Sequence, residues 1–250
     1  AKKQYDFANS IDDKKWMANA MNTIGSSFYL KTNFNKALEY FEKTLELYKE
    51  TNDYEGVSKT YNNIASIYRS QGDNVRAIDY YTNSLKIKEK IGNRKGIATT
   101  LMNIGIINQD LLNLDLALEY FKRSLKIREE LNDQRGIAQS VGNLGDLYFD
   151  QKMYGKSLNN YQKSLKISKE IGDKSGIAKS LRNIGKIYEE KNNTSKALKN
   201  YKSSLQISKE IGNKKGIATN LLAIGKIYYS KNDLSLIHIS SPRDRRLSRM

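Results

Sequence analysis

Asn63, Asn103, Asn143 and Asn183 stand 40 residues apart, with Thr23 and Ala223 at the two ends of the same column. A carboxamide has two N–H donors and an acceptor oxygen. A regular row of them is the chemistry for holding the backbone of an extended peptide whatever its side chains. The competing reading is that each amide bonds within its own pair of helices, and the residues alone leave both open. A second set, Lys179, Arg182, Lys186 and Lys226, gathers cations near the end of the row. Such a cluster suits an acidic side chain or a terminal carboxylate, and charge-assisted bonds of this kind set register more than affinity.

Catalysis has little to work with. There is no cysteine, and the one histidine, His238, lies close to the C-terminus. Nucleophilic thiols, cysteine-ligated metals and a histidine base are therefore missing from residues 1–235, and neither a cofactor nor a metal is expected. Glycines recur at fixed columns and form no phosphate-cradling loop. Pairs such as Glu189-Glu190 and Asp146 with Asp150 are read as solvated helix faces. The chain is not expected to be an enzyme; any catalytic domain would lie outside it.

The elements that position these side chains follow from the repeat. Gly56, Gly96, Gly136, Gly176 and Gly216 keep the same 40-residue spacing, as do Ala37, Ala77, Ala117, Ser157 and Ala197. A third column holds Gly25, Ala65, Gly105, Gly145, Gly185 and Gly225. A period of this size means stacked units, none of which buries its apolar face alone. In the unit from Ile177 to Gly216, Leu181, Ile184, Gly185 and Tyr188 recur at helical spacing. After the polar stretch Lys191-Asn192-Asn193-Thr194, a second helix carries Ala197, Leu198, Tyr201, Leu205 and Ile207 and stops at Gly212. Asp13, Asp53, Asn93, Asp133, Asp173 and Asn213 are N-caps for the first helices. Gly185 and Ala197 are read as facing small residues that let the two helices approach. The tyrosines are read as interhelical packing with the hydroxyl at the edge.

The spacing of Leu181, Ile184-Gly185, Tyr188, Ala197, Tyr201 and Ser204 resembles the tetratricopeptide repeat. The 40-residue period is similar to a long-helix subclass found in kinesin light chains, in spindle scaffolds that bind Gα subunits, and in bacterial arrays attached to histidine kinases, cyclases and transcription regulators. Asn108 departs from the pattern at a tyrosine position and Ser157 at an alanine position. The resemblance implies an all-α, right-handed α-solenoid of helix-turn-helix repeats whose first helices line a concave groove. It also implies that groove asparagines grip peptide main chain.

The expected organisation is the end of a truncated repeat at 1–16, repeats at 17–56, 57–96, 97–136, 137–176 and 177–216, and the first helix of a sixth at 217–235. Residues 236–250 break the period and are read as a tail that is not native.

The formal charge is +16. Arg243, Arg245, Arg246 and Arg249 lie in the tail, and most of the remaining excess falls on second helices and turns. In the groove columns Lys59, Arg69, Lys179, Arg182, Lys186 and Lys226 are met by Asp110, Asp146, Asp150, Glu189 and Glu190. That balance argues against nucleic acid, which favours a basic stripe with interleaved aromatics. The expected function is a scaffold binding a peptide or protein segment, including acidic ones. A sensory or regulatory array of a bacterial signalling protein is the alternative, and nonspecific nucleic-acid binding comes third. No run of residues is long and apolar enough to cross a membrane, so a cytoplasmic chain is expected, with any signal or anchor outside it.

Overall fold

The computed structural model describes residues 1–230. The regular elements in them are all α-helices. A short helix, α1 (Lys2–Ser10), precedes helices of 17 residues each: α2 (Lys14–Leu30), α3 (Phe34–Glu50), α4 (Tyr54–Ser70), α5 (Asn74–Lys90), α6 (Arg94–Asp110) and α7 (Leu114–Glu130). Then come α8 (Gln134–Asp150), α9 (Tyr154–Glu170), α10 (Lys174–Glu190), α11 (Thr194–Glu210) and α12 (Lys214–Ser230). The chain divides into two compact units, the first spanning Ala1–Asn132 and the second starting at Asp133. Within them α2/α3, α4/α5, α6/α7, α8/α9 and α10/α11 pack as antiparallel pairs. Residues 231–250, which hold the end of the helix expected at 217–235 and the tail expected at 236–250, lie outside the described residues.

Caps set the helix starts. Asp13, Asp53, Asn93, Asp133 and Asn213 each accept a bond from the backbone N–H three residues on, at 2.8 to 3.0 Å. Each of these first helices begins directly after its cap, and α10 likewise begins at Lys174, after Asp173. Asp173 makes no such capping bond and lies 3.7 Å from Arg135 instead. The turns before the caps need left-handed backbone, supplied by Gly92, Gly172 and Gly212 (φ 66 to 70°) and by Asn52 and Asn132 (φ 53°).

The small columns are core. Ala37, Ala77, Ala117, Ser157 and Ala197 are fully buried. Ser157 replaces alanine without an orphaned hydroxyl, because its Oγ donates to the Gly145 carbonyl at 2.8 Å. A serine column ties four of the pairs across the same seam: Ser84, Ser124, Ser164 and Ser204 donate to first-helix carbonyls at 2.7 to 2.9 Å. On the outside, a second-helix cation sits over a first-helix ring, as in Lys36 over Phe28, Arg76 over Tyr68, Lys156 over Tyr148 and Lys196 over Tyr188. The third repeat lacks both partners. Asn108 replaces the ring and donates to its own helix at the Ile104 carbonyl, and Leu116 replaces the cation.

Candidate functional site

Two glycine columns decide which second-helix side chains reach the first-helix surface. A Cβ on Gly145 would lie 2.6 Å from the Tyr161 ring, and one on Gly185 would lie 2.7 Å from the Tyr201 ring. The glycines therefore make room for an aromatic ring of the second helix, which refines the expectation that they face only the alanine column. With the ring laid across the first helix, the hydroxyls end beside first-helix polar groups. Tyr161 donates to Asp146 Oδ1 at 2.6 Å, Tyr201 donates to Glu189 Oε2 at 2.5 Å, and Tyr81 meets Ser66 Oγ at 2.9 Å. Burial, followed by the adjacent carboxylate, pushes the Tyr161 and Tyr201 hydroxyls well above the ordinary tyrosine range.

The other column, Gly56, Gly96, Gly176 and Gly216, lies under side chains from the preceding second helix: Tyr48, Lys88, Ser168 and Ser208. Lys88 uses this passage. It is only 4% exposed, and its Nζ donates to Asn62 Oδ1 at 3.1 Å and to Thr100 Oγ1 at 2.8 Å. Burial first, and then the charge of Lys59, hold its amine down to about 8.

In the second unit, Lys179, Arg182, Asn183 and Lys186 of α10 line one pocket of about 280 Å³ with Asp146, Asp150 and Tyr161. Asp146 is its hub. One oxygen accepts from Tyr161 and from Asn183 Nδ2 (2.8 Å), and the other lies 3.3 Å from Lys179 Nζ. The Lys179 charge is thus partly answered inside the protein. Lys186 is exposed. Arg182 Nε is buried with no hydrogen-bond partner among the described residues. Asn143 is 8% exposed and meets Lys179 Nζ at 3.5 Å. Lys226, exposed on α12, is not among this pocket's lining residues.

In the first unit, Asn63 Nδ2 donates to Asn22 Oδ1 at 3.0 Å. Asn103 lines a different pocket, of about 410 Å³, with Arg69 and Asp110. Asn63 on α4 and Asn183 on α10 therefore bond to the preceding first helix, α2 and α8 respectively. That arrangement is neither a free amide nor a bond within one helix pair. The sequence reading took Asp146 for part of a solvated face, where it is instead a bonded hub, and passed over Lys88 as a buried cation. A signal existed for the first: Asp146 stands 15 residues before Tyr161, as Ser66 stands before Tyr81, and each pair is bonded.

Among the described residues no helix is long and apolar enough to cross a membrane. The family model for the tetratricopeptide repeat matches residues 16–90, 56–130, 96–170 and 134–210. No curated protein sequence matches the chain significantly. Among solved structures, BtubC (BKLC) from P. vanneervenii is similar at 18% identity and a TM-score of 0.72, over 85% of this chain and 89% of that one. The Rap conjugation gene regulator of plasmid pLS20, solved with the Phr* peptide, is similar at 15% identity and a TM-score of 0.73, over 96% of this chain and 64% of its own length. Repeats of Podosopora anserina assigned to a kinesin light chain align at 10% identity and a TM-score of 0.62, over 78% of this chain and 95% of that one. At these identities the likeness is one of fold.

Proposed function

The chain belongs to the tetratricopeptide repeat family, and we propose that it is a protein-interaction scaffold that holds a peptide or protein segment on its first-helix surface and anchors an acidic group at the α10 pocket. The observation that carries this reading is the state of Arg182: a guanidinium nitrogen buried without a partner, beside the exposed ammonium of Lys186. A buried donor left unbonded costs about 1–3 kcal/mol, and a carboxylate in the pocket that Arg182 lines relieves it by drawing the guanidinium outward. Asn143 meets the anchor through Lys179, and Lys226, on the next first helix and outside the pocket's lining, is a further contact for the bound segment. Asn63 and Asn183 act mainly as struts between first helices. The peptide in the pLS20 regulator structure supports the same reading by analogy of fold. It also supports the narrower version in which this array is the sensory part of a signalling or regulatory protein.

The probe is a fluorescent Gly/Ser peptide carrying two glutamates, compared with its glutamine counterpart and with a single-stranded oligonucleotide of equal charge. The glutamate peptide is expected to bind best, and Arg182→Gln with Lys186→Gln to weaken it by about tenfold or more, the worth of one or two charge-assisted bonds. Equal binding of the two peptides refutes the acidic anchor. Preference for the oligonucleotide, with a steep salt dependence, transfers the site to nucleic acid.

A further inference from the structure

The first unit holds a pocket of different character. Arg69 on α4 and Asp110 at the end of α6 face each other with Nη2 and Oδ2 3.8 Å apart. That is too long for a hydrogen bond, so each keeps bonding capacity. Their side chains are 36% and 56% exposed, and Asn103 lines the same pocket of about 410 Å³. The hydroxyls at its wall have fixed roles. Ser66 Oγ donates to the Asn62 carbonyl and Ser70 Oγ to the Ser66 carbonyl. A serine has one hydroxyl hydrogen, so Tyr81 donates to Ser66 and Tyr29 donates to Ser70 in their 2.9 and 3.1 Å contacts. The tyrosine oxygens are left as acceptors.

We propose that this pocket recognises a primary carboxamide, the side-chain group of a glutamine or asparagine on the bound segment. The two facing charges leave the pocket neutral, so a ligand carboxylate meets Asp110 and a ligand ammonium meets Arg69, each with repulsion. A neutral group with a donor beside an acceptor satisfies both at once: its C=O accepts from Arg69 and its N–H donates to Asp110. A main-chain amide does not have that form, because in a trans peptide unit the N–H and C=O point in opposite directions. A primary carboxamide carries an N–H on the same side as its oxygen. The inference depends on the scaffold reading only for the source of the carboxamide. The pocket itself is tested with free fragments, so failure of the acidic anchor at Arg182 would leave this result standing.

The experiment is a titration of the ¹⁵N-labelled protein with propionamide, N-methylacetamide, propionate and propylammonium, read at the Arg69 Nε and Asn103 Nδ2 resonances. Propionamide is expected to give a saturable shift with a Kd on the order of 10 mM, as befits so small a ligand, and the other three to bind at least about threefold more weakly. Asp110→Asn is expected to invert the preference toward propionate, and Arg69→Gln toward propylammonium. A merely structural role for either residue would not produce that exchange. The proposal is overturned by a wild-type protein that binds N-methylacetamide or either ion as tightly as propionamide, by the absence of a saturable shift, or by variants whose preferences do not move.

Discussion

Replacing Lys88 with methionine isolates the most unusual electrostatic feature of the first unit. The ammonium is 4% exposed, and both its hydrogen-bond partners, Asn62 and Thr100, are neutral. Its amine is held at about 8 against 10.5 for an ordinary lysine. At about 1.4 kcal/mol per unit of pKa, holding it charged costs about 3 kcal/mol at neutral pH. Between the folded and unfolded values the unfolded chain keeps a proton that the folded chain has released. Stability therefore rises with pH across that window, by about 2 kcal/mol from about pH 7 to about pH 9.5. Lys88→Met has no proton to exchange, so the wild type should gain those 2 kcal/mol on the variant over the same interval. Thr100 Oγ1 lies 3.0 Å from the Gly96 carbonyl and 3.1 Å from Asn62 Oδ1, so its one hydroxyl hydrogen keeps an acceptor in the variant. Lys88→Arg, which stays charged throughout, should also lack the rise. Urea unfolding followed by helical circular dichroism at the two pH values gives the difference, in which other titrating groups cancel. Wild-type and methionine profiles that run parallel to within about 0.5 kcal/mol would refute the claim that a buried charge governs this site.

Further outcomes are expected in the second unit. Gly185→Ala places a methyl 2.7 Å from the Tyr201 ring and should cost about 1–3 kcal/mol through overpacking. Gly142→Ala, whose nearest contact is Ser164 Oγ at 3.5 Å, should stabilise its helix by up to about 1 kcal/mol; equal effects in thermal unfolding would discredit the ring-passage argument. Asp146→Ala strands the donors of Tyr161 and Asn183, residues 3% and 4% exposed. A loss of about 2–4 kcal/mol is expected in urea, and less than about 1 would mean that water replaces the hub. The raised Tyr161 and Tyr201 hydroxyls stay protonated in the folded chain after unfolded tyrosines ionise near 10. Stability should therefore fall as pH rises beyond that value, and Tyr161→Phe should flatten the fall in an alkaline unfolding series.

The sequence was most legible where one residue's type serves one helix. The caps at Asp53, Asn93 and Asp133, the left-handed Gly92 and Gly212, and the buried alanine column all stand where the spacing placed them. The candidate site was legible only in part. Lys179, Arg182, Asn183 and Lys186 do line one pocket, since helical spacing puts them on one face of α10. Whether Asn63, Asn143 and Asn183 are bonded could not be judged from spacing, because their partners come from a different repeat: Asn22, Lys179 and Asp146.

By itself, the sequence determined an all-α array with its period, its caps and its small-residue columns, because these depend on contacts within a helix or between a helix and its immediate successor. Tertiary structure decided what the glycine columns admit and which polar groups remain free. Gly145 and Gly185 matter because rings from a second helix cross them, and Gly96 matters because Lys88 arrives from the repeat before. Whether an amide or a cation is spent or available depends on what lies opposite it across the seam between repeats. That separates Asn183, bound to Asp146, from Arg182 one position earlier, with its Nε unbonded.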